Sequence, residues 1–207
     1  KGGLVRNLLA AETLGSTTVI LTDKTGTLTE GRVALQALYP SALLETAGSP
    51  GVGVRDETAP QLVHTAIIAT DTFVTESADE PERFTVHGRP LEKAIVAAGL
   101  AEGISALDLE RLMPRLDTVP FDSALRFSGS LNNLGALRGS RHKFESRFSV
   151  IGAPELLLEK SAFLIREGRK VRMGASYRAR ALETLTRLGT SGFRVVAVGY
   201  RDVGWTS

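Results

Sequence analysis

Residues 16–31 read STTVILTDKTGTLTEG, where an apolar, β-branched run gives way to an acid, a lysine and several hydroxyl residues. The run at 17–22 (TTVILT) is typical of a strand buried on both faces of a parallel sheet. Asp23 follows directly, at the carboxyl end of this predicted strand, where α/β sheets bind their ligands. The stretch therefore predicts an α/β fold with a carboxylate at its functional edge.

The residues around Asp23 suit phosphoryl chemistry. A carboxylate at such an edge can act as a nucleophile and accept a phosphoryl group as an acyl phosphate. The transferred group spreads negative charge over its oxygens and needs cations and donors nearby. Lys24 supplies a cation, Thr25 supplies a hydroxyl, and Gly26 lets backbone amides approach. A strand-end Asx turn is the structural alternative for a bare D-x-T-G.

The composition of the chain restricts its function class. Its 207 residues are 43% apolar, enough for a sizeable core, and 25 basic residues balance 23 acidic ones to a net charge of +2. This balance argues against a nucleic-acid partner or a membrane-surface footprint. The chain has no cysteine, which excludes disulfides and thiolate metal sites. It also has no apolar run near the ~18 residues that a membrane-spanning helix needs.

The chain divides into a short α/β piece and a larger α+β body. A second strand is predicted at 32–39, followed by a Pro/Gly-rich loop at 40–60 and an acidic loop at 75–89. Two strands, 125–133 and 143–152, are predicted to pair, and 193–203 is a further strand. Helices are predicted at 59–74, 90–103, 153–165 and 176–192, and 107–123 is predicted to be a short helix that leads to an extended stretch. We expect an antiparallel sheet flanked by helices in this body.

The heptapeptide DKTGTLT at 23–29 resembles the phosphorylated loop of the P-type ATPases, members of the haloacid-dehalogenase superfamily. The resemblance implies that Asp23 accepts the phosphoryl group of ATP, with Lys24 and Thr25 placed for the transferred group. It also implies Mg²⁺ as a cofactor, with Asp23 and the Thr25 carbonyl among its ligands. Related phosphatases usually carry a second aspartate where this chain has Thr25, which favours a lasting phosphoenzyme over fast phosphatase turnover.

Two further segments resemble the nucleotide-binding domain of these pumps. GRPLEKAI (88–95) is similar to the family's G-x-P-x-E-x-A-L segment, which implies that Glu92 accepts a hydrogen bond from the adenine amino group. VPFDSALRFSG (119–129) is similar to its P-F-x-S-x-x-K segment. This match implies that Phe121 stacks on adenine and that Arg126 lies near the phosphates or the ring. Taken singly, Glu92 reads as an exposed helix acid and Phe121 as a core aromatic.

Two more segments follow in the family's order. IGAPELLL (151–158) resembles the K-G-A-P-E signature and retains Gly152, but Ile151 stands where the family has lysine. In this respect the chain resembles a bacterial branch of cation pumps, which has an aliphatic residue at the same position. Such a residue can only line the adenine slot with apolar surface. GFRVVAVGYRD (192–202) resembles a strand whose arginine, here Arg194, reaches the ribose or phosphates. Taken singly, Arg194 reads as a solvent-facing arginine at a strand end.

The resemblance implies a domain organisation and a set of partners. Residues 1–34 correspond to the N-terminal part of an incomplete Rossmann-like phosphorylation domain, and 35–207 to the nucleotide-binding domain. The expected protein is a cytosolic fragment of a plasma-membrane cation-transporting ATPase. Its partners would be ATP, a transported cation (Ca²⁺ before Mg²⁺ or K⁺), and the actuator, membrane and remaining phosphorylation domains.

Two features limit what the 207 residues are expected to do alone. No T-G-D or G-D-G-x-N-D segment follows residue 150, so we expect nucleotide binding without turnover. A lone parallel strand cannot satisfy its backbone, so 17–22 should not form the centre of a sheet without partner strands.

Two other functions remain open. One is a soluble haloacid-dehalogenase-type phosphatase with a large cap, which activity on small phosphate esters would support. The other is a non-catalytic nucleotide-sensing module.

Overall fold

A computed structural model describes residues 13, 15–23, 27–40, 59–76, 84–134 and 145–204. The chain forms two compact units, Lys1–Arg32 and Val33–Ser207. Predicted residues Lys24 and Thr25 lie outside the described residues. No helix among the described residues is long and apolar enough to cross a membrane.

The described part of the first unit has no strand. Residues 17–22 adopt an irregular, exposed conformation, and Val19, Ile20 and Leu21 are 70%, 81% and 95% exposed. The predicted strand at 17–22 is therefore wrong. The physical reason is that a doubly buried parallel strand exists only between neighbours that pair with its backbone and cover its side chains. The observation agrees with the expectation that this stretch is not the centre of a sheet by itself.

The second unit is built around a four-stranded antiparallel sheet in the order β3-β4-β5-β8. Its strands are β3 (Arg115–Asp122), β4 (Phe127–Asn133), β5 (Ser146–Gly152) and β8 (Ala197–Val203). The predicted pairing of 125–133 with 143–152 is confirmed, with Ser130 opposite Ser149. Two hairpins accompany this sheet, β1 (Phe73–Glu76) with β2 (Phe84–His87), and β6 (Phe163–Arg166) with β7 (Arg169–Arg172). The predicted α+β class with an antiparallel sheet is confirmed.

Five helices are described: α1 (Ala59–Ala69), α2 (Pro90–Ala101), α3 (Ala106–Leu112), α4 (Pro154–Lys160) and α5 (Ala175–Thr190). Proline lies in the first turn of α2 and α4, where its missing N–H leaves no helical bond unmade. Ser105 caps α3, because its hydroxyl accepts a hydrogen bond from the Asp108 N–H at 3.2 Å.

Three predicted elements differ from the structure. Residues 32–39 form no strand, although Leu38 packs against the core. The predicted helices 59–74 and 153–165 each end early and continue into a short strand, β1 and β6 respectively. In both of these helices, backbone pairing within a hairpin replaces the helical bonds that periodicity alone predicted, because the hairpin partner lies outside the periodic window.

The core lies between one face of the sheet and helices α1 to α3. Val63, Ile67, Val96 and Ile151 belong to this buried cluster. Helix α1 is tied to the sheet by a buried hydrogen bond, in which the Ser130 hydroxyl donates to the Ile68 carbonyl at 2.6 Å. Val96 of α2 and Ile151 of β5 lie in the same buried cluster, so α2 and the sheet, which both carry predicted site residues, pack on a common core.

Candidate functional site

Asp23 lies in the first unit and is exposed. The Thr22 hydroxyl donates to the backbone carbonyl of Asp23 at 3.3 Å, so the carbonyl is held by its own neighbour. Lys24 and Thr25, the predicted partners of the phosphoryl group and of Mg²⁺, lie outside the described residues. The phosphoryl-acceptor role of Asp23 stays a prediction.

Glu92 is held at the start of helix α2. Its carboxylate accepts a hydrogen bond from the Arg89 backbone N–H at 3.1 Å and another from Arg89 Nε at 3.1 Å, and it forms an ion pair with Arg89 Nη2. Its side chain is only 3% exposed. The local cause is a capping arrangement, because Glu92 sits three residues after the N-cap Arg89 and can reach back to its backbone. Glu92 is therefore a buried carboxylate rather than an exposed helix acid.

Phe121 lies at the end of strand β3 and meets the same arginine. The Arg89 guanidinium carbon lies 4.5 Å from the centroid of the Phe121 ring, a cation–π contact. The ring stays 44% exposed. Two predicted adenine contacts from distant parts of the sequence, Glu92 and Phe121, thus touch a common planar group. An aromatic face and a carboxylate placed in this way can stack on a planar group and accept hydrogen bonds from its N–H donors.

Arg126 lies in the turn between β3 and β4. Its backbone has φ = +60°, a left-handed conformation that is unfavourable for a side chain with a Cβ. Three contacts hold it there. The Arg126 N–H donates to the Asp122 carbonyl at 2.7 Å, the Ala153 N–H donates to the Arg126 carbonyl at 2.9 Å, and its guanidinium pairs with Glu155 at 3.2 Å. The turn after the strand of Phe121 is thereby tied to the GAPE segment.

Gly152 and Ile151 lie on β5 beside this turn. A Cβ placed on Gly152 would lie 2.5 Å from both the Arg126 carbonyl oxygen and Phe127 Cβ, so the close approach of β4 requires glycine. Ile151 is 4% exposed and belongs to the core cluster. Its predicted contact with adenine stays a prediction, and the structure directs its side chain to the core.

Arg194 is exposed in the segment that leads into β8. The first residue of that strand, Ala197, pairs with Gly152 on β5. The backbone thus brings the Arg194 segment to the same end of the sheet as the GAPE signature.

Two concavities in the described part of the chain lie away from these residues. The larger, about 600 Å³, lies over the sheet face opposite α1 and is lined by Leu131, Phe148 and Val203 among others. The smaller, about 210 Å³, lies between α1, α3 and β5, beside His64 and Ser149. The candidate site lies at Glu92 and Phe121 instead, where a buried carboxylate and a partly exposed ring contact the same guanidinium.

Sequence reasoning missed two residues, Arg89 and Glu155. Both lie inside quoted motifs, and each pairs with a predicted site residue, Arg89 with Glu92 and Glu155 with Arg126. The opposite charges of Arg89 and Glu92 at i and i+3 were a readable signal. The pairing of Glu155 with Arg126 was not readable, because 29 residues separate them.

The second unit is an α+β domain with a helix-flanked antiparallel sheet, and a family comparison agrees with this class. Residues 58–207 match the family described as "P-type ATPase, cytoplasmic domain N". The chain belongs to the P-type ATPases, and the resemblance read from its sequence is confirmed.

Similar proteins come from several branches of life. The chain is 26% identical to "Cation-transporting ATPase pma1" of Synechocystis sp., over 98% of the chain and 23% of that protein. It is 27% identical to a calcium-transporting ATPase of Listeria monocytogenes, over 96% of the chain and 21% of that protein. It is 29% identical to "Sodium/potassium-transporting ATPase subunit alpha-A" of Artemia franciscana, over 95% of the chain and 20% of that protein. The chain thus spans 20–23% of the length of these relatives.

Proposed function

We propose that this chain is the nucleotide-binding region of a cation-transporting ATPase that couples ATP hydrolysis to transport through an aspartyl-phosphate at Asp23. The family match supports the class, and the names of the relatives refer to transport of cations, of calcium, and of sodium and potassium. The observation that carries the proposal is the convergence of Glu92 and Phe121 on one guanidinium.

The adenine base binds against Phe121 and Glu92. The 44% exposed ring offers an apolar face for stacking. A carboxylate has about four lone-pair sites, so Glu92 can accept the adenine amino group while keeping its bond to the Arg89 backbone N–H. These two contacts distinguish a purine with an exocyclic amino group from one without it.

The phosphates of the nucleotide meet two arginines. Arg126 is exposed in the turn that follows the strand of Phe121, and its guanidinium pairs with Glu155. Arg194 is exposed at the same end of the sheet. Guanidinium groups pair well with phosphate oxygens, often through two parallel hydrogen bonds. Arg126 and Arg194 are therefore proposed to bind the polyphosphate.

The phosphoryl step uses Asp23 as nucleophile. A carboxylate oxygen of Asp23 bonds to the γ-phosphorus of ATP, the bond to the β,γ-bridging oxygen breaks, and ADP leaves. Water later cleaves the aspartyl-phosphate to restore the carboxylate and release phosphate. Lys24 and Thr25 are proposed to contact the transferred group.

Magnesium is a proposed cofactor, and it would offset phosphate charge when bound. Mg²⁺ needs a near-octahedral set of oxygen ligands. Within the described residues, no three Asp, Glu or His side chains come together to hold a metal. These residues alone do not provide the site.

The remaining parts of the proposal concern the whole pump. It would lie in the plasma membrane, with the actuator, membrane and remaining phosphorylation domains as partners in the same protein. The 207-residue chain by itself is proposed to bind nucleotide without turnover. A soluble phosphatase is less well supported, because the family match covers residues 58–207 rather than a cap of another kind.

The test is an ATP titration of the 207-residue chain by calorimetry, with Phe121→Ala and a matched control. Base–aromatic stacking is worth about 1–3 kcal/mol, so Phe121→Ala should weaken binding about 5- to 150-fold. Phe163→Ala is the control, because Phe163 is also an exposed aromatic, at 57%, but lies on β6. Equal affinity of Phe121→Ala and the wild-type chain would refute the site.

A further inference from the structure

We propose that Arg89 sets the affinity of the adenine subsite, because its guanidinium occupies the place of the base until nucleotide binds. This inference rests on the proposed function and deepens it. It assigns a role to a residue that the family motifs leave variable in the quoted segments.

The contacts of Arg89 copy those proposed for adenine. Its Nε and Nη2 donate to the Glu92 carboxylate, as the adenine amino group would. Its flat guanidinium lies 4.5 Å over the Phe121 ring, as the base would. A guanidinium is a planar, delocalised group that both stacks on aromatic rings and donates several hydrogen bonds. The two ligands therefore compete for the same carboxylate and the same ring.

Burial shows which group must move. The Glu92 side chain is 3% exposed, whereas that of Arg89 is 44% exposed. Arg89 is thus the outer member of the pair and covers the carboxylate. A base that donates to Glu92 has to displace the guanidinium first.

The carboxylate stays in place when the Arg89 side chain leaves. The backbone N–H of Arg89 donates to Glu92 Oε2 at 3.1 Å, and this bond does not depend on the side chain. Helix α2 keeps Pro90 in its first turn as well. Displacement of the guanidinium therefore exposes a preorganised acceptor without unwinding the helix.

The size of the effect follows from the contacts that adenine replaces. A partly exposed ion pair and a partly exposed cation–π contact are each weak, so removing the guanidinium should tighten base binding about 3- to 30-fold. Adenosine is the suitable probe, because it carries the base without phosphates that a nearby cation would attract.

The variant is Arg89→Met, which keeps much of the side-chain length and loses the charge and the plane. Arg111→Met is the matched control, because Arg111 also pairs with an acid three residues away, Asp108, at 3.2 Å on helix α3. Calorimetric titration of the 207-residue chain with adenosine should show 3- to 30-fold tighter binding for Arg89→Met and no change for Arg111→Met, by the same estimate. In the wild-type chain, adenosine should also shift the ¹⁵N resonance of Arg89 Nε.

The outcomes separate this inference from the proposed function. If Phe121→Ala weakens adenosine binding while Arg89→Met binds no more tightly than the wild-type chain, the competition is refuted and the site stands. If Phe121→Ala leaves adenosine binding unchanged, both the competition and the proposed adenine site are refuted. An Arg89 Nε chemical shift that does not change at saturating adenosine would also refute the competition. This measurement uses the wild-type chain, so it does not depend on the folding of a variant.

Discussion

Gly152 offers the sharpest test of the structure, through the substitution Gly152→Ala. Gly152 pairs with Phe127 on β4 and with Ala197 on β8, so it lies inside the sheet. An added Cβ would lie 2.5 Å from the Arg126 carbonyl oxygen and 2.7 Å from Phe127 Cα. Both are backbone atoms, which cannot turn aside as a side chain can. The turn that carries Arg126 and follows the strand of Phe121 would have to move.

The expected cost follows from two opposing terms. Overpacking of this kind costs about 1–3 kcal/mol. Replacing glycine by alanine in a strand gains about 0.5–1 kcal/mol by restricting the unfolded chain. Gly199→Ala is the matched control, because a Cβ on this β8 glycine would meet only Val150 Cγ2, at 3.7 Å. The control should be neutral or up to about 1 kcal/mol more stable than the wild-type chain.

Urea unfolding followed by circular dichroism measures both variants. The two alanine variants should differ by about 1–3 kcal/mol, with an unchanged dependence on urea concentration. In thermal unfolding, each kcal/mol corresponds to about 2–4 °C for a chain of this size. If Gly152→Ala is as stable as Gly199→Ala, the close approach of the β3–β4 turn to β5 is wrong.

Two further predictions concern buried groups. Ile151→Lys should lower the free energy of unfolding by about 3 kcal/mol or more, because residue 151 is 4% exposed and lies in the core. The control Ile151→Val should lower it by about 1 kcal/mol. Equal urea midpoints for the two variants would contradict this burial. Burial lowers the pKa of His64 from its ordinary value of 6.5, so the unfolded chain binds more protons than the folded chain near that pH. Stability should be full above pH 6.5 and fall below it, and thermal midpoints between pH 7.5 and 5.5 should change less in His64→Gln than in the wild-type chain.

Local signals predicted much of the second unit. Helices α2 and α5 and strands β4 and β5 lie close to their predicted positions, because periodicity and proline or glycine at the ends act within a few residues. Strands β1 and β6 were read as parts of helices, since their hairpin partners are not part of the helical pattern. The strand predicted at 17–22 is absent because its composition suits the interior of a sheet, and the described residues of its unit form no sheet.

The candidate site shows the same division. The motifs predicted that Glu92 and Phe121 belong to one site although 28 positions lie between them, a relation that came from family resemblance rather than from spacing. Neither residue revealed that Arg89 would contact both. Ile151 was placed by its motif beside the base, whereas strand alternation turns its side chain into the core.

The sequence by itself determined the family, the antiparallel α+β class and the residues to examine, because motifs and local hydrogen-bonding preferences depend on residues that are close together in the sequence. Only the tertiary structure decided that the Arg89 guanidinium lies between Glu92 and Phe121, and that Gly152 leaves room for the turn at Arg126. These are contacts between separate elements, and their distances depend on how α2 and the sheet pack around a common core. A charge or a glycine can be read in a sequence, but its partner is selected by packing.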